Sequence, residues 1–173
     1  MKRSEIHPMP EYFDRYINLT DDVTLLEALE TSLSELENFS LEKWIALGDK
    51  AYAPGKWTGK DLLQHLIDTE RIFAYRALAF SRNETGRMLS YDEDSYAKNA
   101  QANHRSVEDL FEELLWVRKS FLALYRSFTP EMFAKTGKSF KGHYSVTDIG
   151  FIIAGHQRWH LKVFEEKYLP LLD

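Results

Sequence analysis

The chain has no cysteine, which excludes a disulfide framework, a thiolate metal site and a cysteine nucleophile. That absence is consistent with a reducing compartment. No apolar run approaches the roughly 20 residues that a bilayer-crossing helix needs. The N-terminal Met1-Lys2-Arg3-Ser4-Glu5-Ile6-His7-Pro8 carries basic residues with no apolar stretch behind them, so no signal peptide is expected. A basic stripe is also missing: 22 Lys and Arg are interspersed with 27 Asp and Glu for a net charge of −5. Nucleic acid and membrane are therefore not expected as partners. No strand pattern of any length, no internal repeat and no low-complexity tract is visible. These absences point to a cytoplasmic protein with a small-molecule partner, a second copy of itself, or both.

What is present is helical periodicity. With 173 residues the chain is long enough for one domain with a core of its own. Four segments repeat apolar residues at 3.6-residue spacing, over about Asp22–Phe39, Thr58–Ser81, Ser106–Phe128 and Ser145–Tyr168. The last three open on the same signal, Thr58-Gly59-Lys60-Asp61, Ser106-Val107-Glu108-Asp109 and Ser145-Val146-Thr147-Asp148, capping boxes with Asp in place of Glu. A shorter helix is expected over about Asp92–Gln101, and Gly137 through Gly142 reads as a turn. The expectation is all-α: a four-helix bundle with one long crossover connection, residues 22–173, crossed by an N-terminal arm of residues 1–21.

Three histidines fall on the apolar stripes of these helices. His65 lies with Thr58, Leu62, Thr69 and Ile72; His156 and His160, spaced H-x-x-x-H, lie with Ile149, Ile152, Ile153 and Val163. Residues four apart share a helix face, close enough to grip one ion. A lone inward histidine is adequately explained by a hydrogen-bond partner, but three converging at one level are more economically explained by a metal. His104 and His143 fall in loops, and His7 in the arm carries no signal.

At these residues the sequence resembles the DinB/YfiT-like superfamily. Trp57-Thr58-Gly59-Lys60-Asp61-Leu62-Leu63-Gln64-His65-Leu66-Ile67-Asp68-Thr69-Glu70-Arg71 and Phe73-Ala74-Tyr75-Arg76-Ala77-Leu78 look like its second helix. Ser145-Val146 through Ile152-Ile153-Ala154-Gly155-His156, with His160, look like its last. The resemblance spans about Leu19 to Leu169. It implies a four-helix bundle that binds a divalent metal through His65, His156 and His160, often as a homodimer. The activities it implies are metal-dependent hydrolysis, or transfer and isomerisation using a low-molecular-weight thiol.

Three neutral imidazoles leave a divalent ion its full charge and an open position, suited to activating water or holding a thiol as thiolate. All-nitrogen ligation suits zinc or nickel, with copper, iron or manganese as further possibilities. Asp68, one turn beyond His65, is the candidate proton acceptor against a reading as a solvated carboxylate. Gln157 and Asp148 are weaker candidates, Asp148 being explained by its helix cap. Arg76 and Arg118 are flanked by apolar residues and each is expected to be at least half buried. Either they form an internal ion-pair network, with Glu70 as the obvious counter-ion, or a guanidinium clamps a carboxylate or phosphate on the substrate. Trp57, Trp159 and Tyr75 are core residues by default and pocket walls otherwise. The rival to an enzyme is a non-catalytic dimeric interaction module with a structural metal or a bare histidine cluster.

Overall fold

Reciprocal side-chain caps set where the long helices begin. In the computed structural model, which describes residues 1–139 and 142–172, the elements are α1 (Asp14–Ile17), α2 (Leu25–Glu37), α3 (Glu42–Leu47), α4 (Gly59–Ser81), α5 (Glu93–Ala100), α6 (Val107–Arg126), α7 (Pro130–Phe133), β1 (Thr136–Ser139), β2 (Gly142–Ser145) and α8 (Val146–Val163). At α4, Thr58 Oγ1 accepts from Asp61 N at 3.1 Å while Asp61 Oδ2 accepts from Thr58 N at 3.0 Å. Ser145 and Asp148 repeat this exchange at α8, and Ser106 Oγ accepts from Asp109 N at α6. Each bond satisfies a donor that the first helical turn leaves orphaned. The first long helix starts at Leu25 rather than Asp22, because Thr24 and Glu27 form the same box there.

The four long helices close a ring in which α2 packs on α6 and α8, and α4 packs on the same two. Polar pairs give their directions. Gln64 meets Arg105 and Glu70 meets Arg118, so α4 and α6 run parallel. Leu25 lies against Gly150 and Ser32 meets Gln157, so α2 runs parallel to α8. His65 meets His156, and Gly59 lies against Phe164, so α4 and α8 are antiparallel. Parallel neighbours α4 and α6 require the long crossover that carries α5.

The bundle is not purely helical. Thr136–Ser139 pairs antiparallel with Gly142–Ser145, Gly137 opposite Tyr144. This corrects the expectation of a turn without strands. A β-carbon at Gly137 would lie 1.9 Å from the Phe80 ring, so glycine lets the hairpin lie flat on α4.

Two apolar clusters fill the interior. One includes Leu25, Leu29, Phe73, Phe80, Phe121, Tyr125, Ile149 and Ile152; the other includes Leu36, Trp44, Leu62, Ile67, Leu110, Leu114 and Phe164. Between them, each long helix contributes a buried polar side chain: Ser32 from α2, His65, Thr69 and Glu70 from α4, Arg118 from α6, and His156 and Gln157 from α8. This mid-bundle polar layer positions the site.

Candidate metal centre

On one side of the polar layer, three imidazoles turn their Nε2 atoms toward one another. His65 Nε2 lies 3.1 Å from His156 Nε2, which lies 3.0 Å from His160 Nε2. The three ligand atoms all fall within 4.8 Å of one another. The antiparallel contact of α4 with α8 supplies the first pair, and one helical turn supplies the second. A neutral imidazole Nε2 carries either one proton or one in-plane lone pair, so His156 can hydrogen-bond one of its two neighbours but not both. Protonation does not resolve this. Burial first, with the other histidine charges behind it, holds His65 down to about 3 and His156 well below its ordinary value; burial holds His160 down to about 4. A shared cation satisfies all three nitrogens at once. Two imidazole nitrogens bound to one divalent ion at about 2.0–2.1 Å lie roughly 3.0–3.4 Å apart, which matches the 3.1 and 3.0 Å from His156 to its two neighbours. The residues therefore fit a divalent metal.

The surroundings orient the imidazoles. Thr69 Oγ1 lies 3.5 Å from His65 Nδ1 and 2.7 Å from the Tyr91 hydroxyl. The Trp57 ring is tilted against His65, with centroids 4.8 Å apart. Tyr16, on α1 in the arm, meets the His156 ring edge-on at 5.1 Å. His160 Nδ1 is buried with no hydrogen-bond partner among the described residues. Clefts open on both sides. A cavity of about 340 Å³ is lined by Tyr16, Thr69, Arg76, Tyr91, Ser139 and His156. A second, of about 710 Å³, is lined by Trp57, Asp61, Asp94, Lys98, His160 and Tyr168. Asp94 borders both, and its Oδ1 accepts from Trp57 Nε1 at 3.0 Å.

The remaining expected residues separate. Asp68 Oδ1 accepts from Gln64 Nε2 at 2.9 Å, and burial before other causes raises its carboxyl above the ordinary value. No hydrogen bond links it to His65 among the described residues. Arg118, 2% exposed, donates to both Glu70 oxygens at 2.7 and 2.9 Å, to Ser32 Oγ at 2.5 Å and to Gln157 Oε1 at 2.7 Å. Four N–H groups are thus directed into the bundle, so the internal ion pair, rather than a substrate clamp, describes Arg118. Glu70 does not partner Arg76, which lines the smaller cavity instead. Gln157 belongs to the Arg118 network, and Asp148 to its cap. Tyr75 is 63% exposed and walls neither cleft, which corrects both readings of it. Trp159 stands edge-on to Tyr16 at 5.7 Å on the partly exposed face of α8. His143 lies in β2 and, with His7, lines a separate cavity of about 840 Å³ at the arm and hairpin end. His104 ends a single turn before α6. Tyr16 and Tyr91 were not singled out as site residues in the sequence, since neither lies on a periodic stripe with the histidines. No helix is long and apolar enough to cross a membrane among the described residues.

A family model described as the DinB superfamily matches residues 19–164. Among solved structures, the chain is similar to YfiT from Bacillus subtilis, described as a probable metal-dependent hydrolase with an unusual four-helix bundle topology. That likeness has a TM-score of 0.65 at 19% sequence identity and covers 91% of this chain and 86% of the other. At this identity it shows the fold. No curated protein matches the sequence significantly.

Proposed function

The chain belongs to the DinB superfamily, and on that premise we propose that it is a divalent-metal-dependent enzyme acting on a small molecule. His65, His156 and His160 hold the ion, zinc or nickel by the preference of an all-nitrogen donor set, with iron or manganese less suited. The carrying observation is the convergence of three neutral Nε2 atoms, on the buried His65 and His156 and the half-buried His160, that hydrogen bonding alone leaves unsatisfied. The ion supplies Lewis acidity, which for zinc lowers the pKa of a bound water from 15.7 to about 7.

The protein's own residues do the rest. Thr69, backed by Tyr91, faces His65 Nδ1 and favours the tautomer that leaves Nε2 free to bind. Trp57 and Tyr16 wall the imidazoles on either side and limit water around them. The cavity beside His156 admits the substrate. Hydrolysis is the preferred reaction because the structurally similar YfiT is described as a probable metal-dependent hydrolase. A low-molecular-weight thiol held as thiolate at the same position would turn the same ligand set to group transfer.

A purely structural metal is the rival. A closed structural site takes four protein ligands, whereas only three histidines cluster among the described residues, beside an open cavity. Elemental analysis of untagged protein beside a His156→Ala variant tests the proposal. About one divalent ion per chain, lost in the variant, is expected. No bound metal after incubation with zinc, nickel and manganese overturns it.

A further inference from the structure

We propose that the cavity beside the histidines selects substrates that carry a carboxylate, with Arg76 at its floor as the anchor and Ser139 as a second donor. This rests on the metal-dependent reading above, since the ion that the histidines would hold acts at the far end of such a substrate.

Arg76 is 5% exposed, and no carboxylate lies within ion-pair distance of it among the described residues. Its acceptors are neutral: the Leu89 carbonyl at 2.8 Å and, at a long 3.4 Å, the Tyr144 hydroxyl. The guanidinium lies over the Phe73 ring, 4.7 Å from its centroid. Arg118, equally buried, has Glu70 in two-point contact. A buried guanidinium is costly without a counter-charge, so the missing charge at Arg76 marks a place for a ligand's. Its planar fork suits a carboxylate in particular.

Ser139 adds direction. Its Oγ, 2% exposed as a residue, accepts from the Tyr144 hydroxyl at 2.5 Å, which leaves its own O–H to donate. Arg76 and Ser139 line the same cavity as His156, and about 340 Å³ suits a small acid. Carboxylates do border the cavity, but at its rim. Asp92, Glu93 and Asp94 are solvent-exposed; Asp92 caps α5 at Ser95 N, and Asp94 accepts from Trp57. Water screens those charges, whereas the buried floor is screened far less.

Calorimetric titration with sodium benzoate and with uncharged benzamide tests this, on metal-free and zinc-loaded wild type, Arg76→Gln and Ser139→Ala, with melting temperature as the folding check. Benzoate is expected to bind both metal forms of the wild type, and benzamide about tenfold or more weakly. Arg76→Gln should weaken benzoate by about tenfold to a hundredfold, the range of charge-assisted hydrogen bonds, and leave benzamide unchanged. Ser139→Ala should weaken benzoate about threefold to tenfold. A folded Arg76→Gln protein that binds benzoate as the wild type does overturns the proposal. So do equal affinities for acid and amide, or no benzoate binding at all. If Arg76→Gln does not fold, undiminished benzoate affinity in Ser139→Ala overturns it. Benzoate binding confined to the zinc form and indifferent to Arg76 would place the acid on the metal, sinking the anchor and sparing the metal site. Failure to retain zinc, nickel and manganese alike would sink the metal site, while benzoate binding to the metal-free protein still decides the anchor.

Discussion

A β-carbon at Gly155 would lie 1.8 Å from the carbonyl oxygen of Tyr16. The arm's backbone therefore rests directly on α8, one residue before His156, and Tyr16 sets its ring edge against that histidine. The N-terminal arm is part of the site wall. Gly155→Ala should push α1 off α8. Overpacking of this kind costs about 1–3 kcal/mol, which for a chain of this size lowers the melting temperature by roughly 3–10 °C. Because Tyr16 moves with the arm, metal affinity should fall too. Thermal unfolding beside a chelator competition assay checks both. An unchanged melting temperature would show that the arm relaxes without strain.

The Arg118–Glu70 pair should be costly to break and cheap to replace. Both side chains are 2% exposed, so Glu70→Gln leaves a buried guanidinium without its counter-charge. Breaking a buried pair in this way costs about 3–5 kcal/mol, whereas apolar replacement of both partners is often near neutral. Arg118 also bears on the centre electrostatically, being among the charges that depress His156. Glu70→Gln should therefore weaken metal binding as well as stability, and Glu70→Leu with Arg118→Met should restore both. Urea unfolding and metal affinity on the two variants decide the matter. A double variant as unstable as the single one would show that the pair itself stabilises the bundle.

Most of the bundle was legible because its signals are local and repeated. The 3.6-residue stripes and the caps at Thr58, Ser106 and Ser145 located three long helices to within a few residues at most. The start of α2 was misplaced because the Thr24–Glu27 box was not recognised. The hairpin was missed for a different reason. Thr136-Gly137-Lys138-Ser139 carries no alternation of apolar residues, and it pairs because Gly137 fits against Phe80, a tertiary contact with no sequence signature. Among site residues, the three histidines share helical faces and so announced themselves. The partition of the two arginines was not legible, since Glu70 lies 48 residues from Arg118 and only the parallel course of α4 and α6 brings the two together.

Acid should destabilise the metal-free protein. In the unfolded chain these histidines titrate near about 6.5, whereas in the folded state His65 lies at about 3 and His160 at about 4. Below pH 6.5 the unfolded state binds protons that the folded state refuses, so stability falls as pH drops from about 6.5 toward about 4. The urea midpoint of chelated protein should fall across that window. The variant with His65, His156 and His160 all changed to alanine should show a shallower fall. Parallel pH profiles would mean that these three groups do not set the acid response.

Thr69 should act on the metal through His65 rather than through packing. Its hydroxyl sits between His65 Nδ1 and the Tyr91 hydroxyl, 3.5 and 2.7 Å away. Thr69→Val removes that hydroxyl while nearly keeping its volume, and partners of this kind are worth about 10–100-fold in metal affinity. Tyr91→Phe cuts only the outer bond and leaves Thr69 facing His65, so its loss should be smaller. Zinc affinity is therefore expected to fall in the order wild type, Tyr91→Phe, Thr69→Val. Melting temperatures of the metal-free proteins supply the control. If Thr69→Val lowers that temperature and leaves zinc affinity untouched, the hydroxyl serves the fold and the orientation of His65 comes from the Trp57 side.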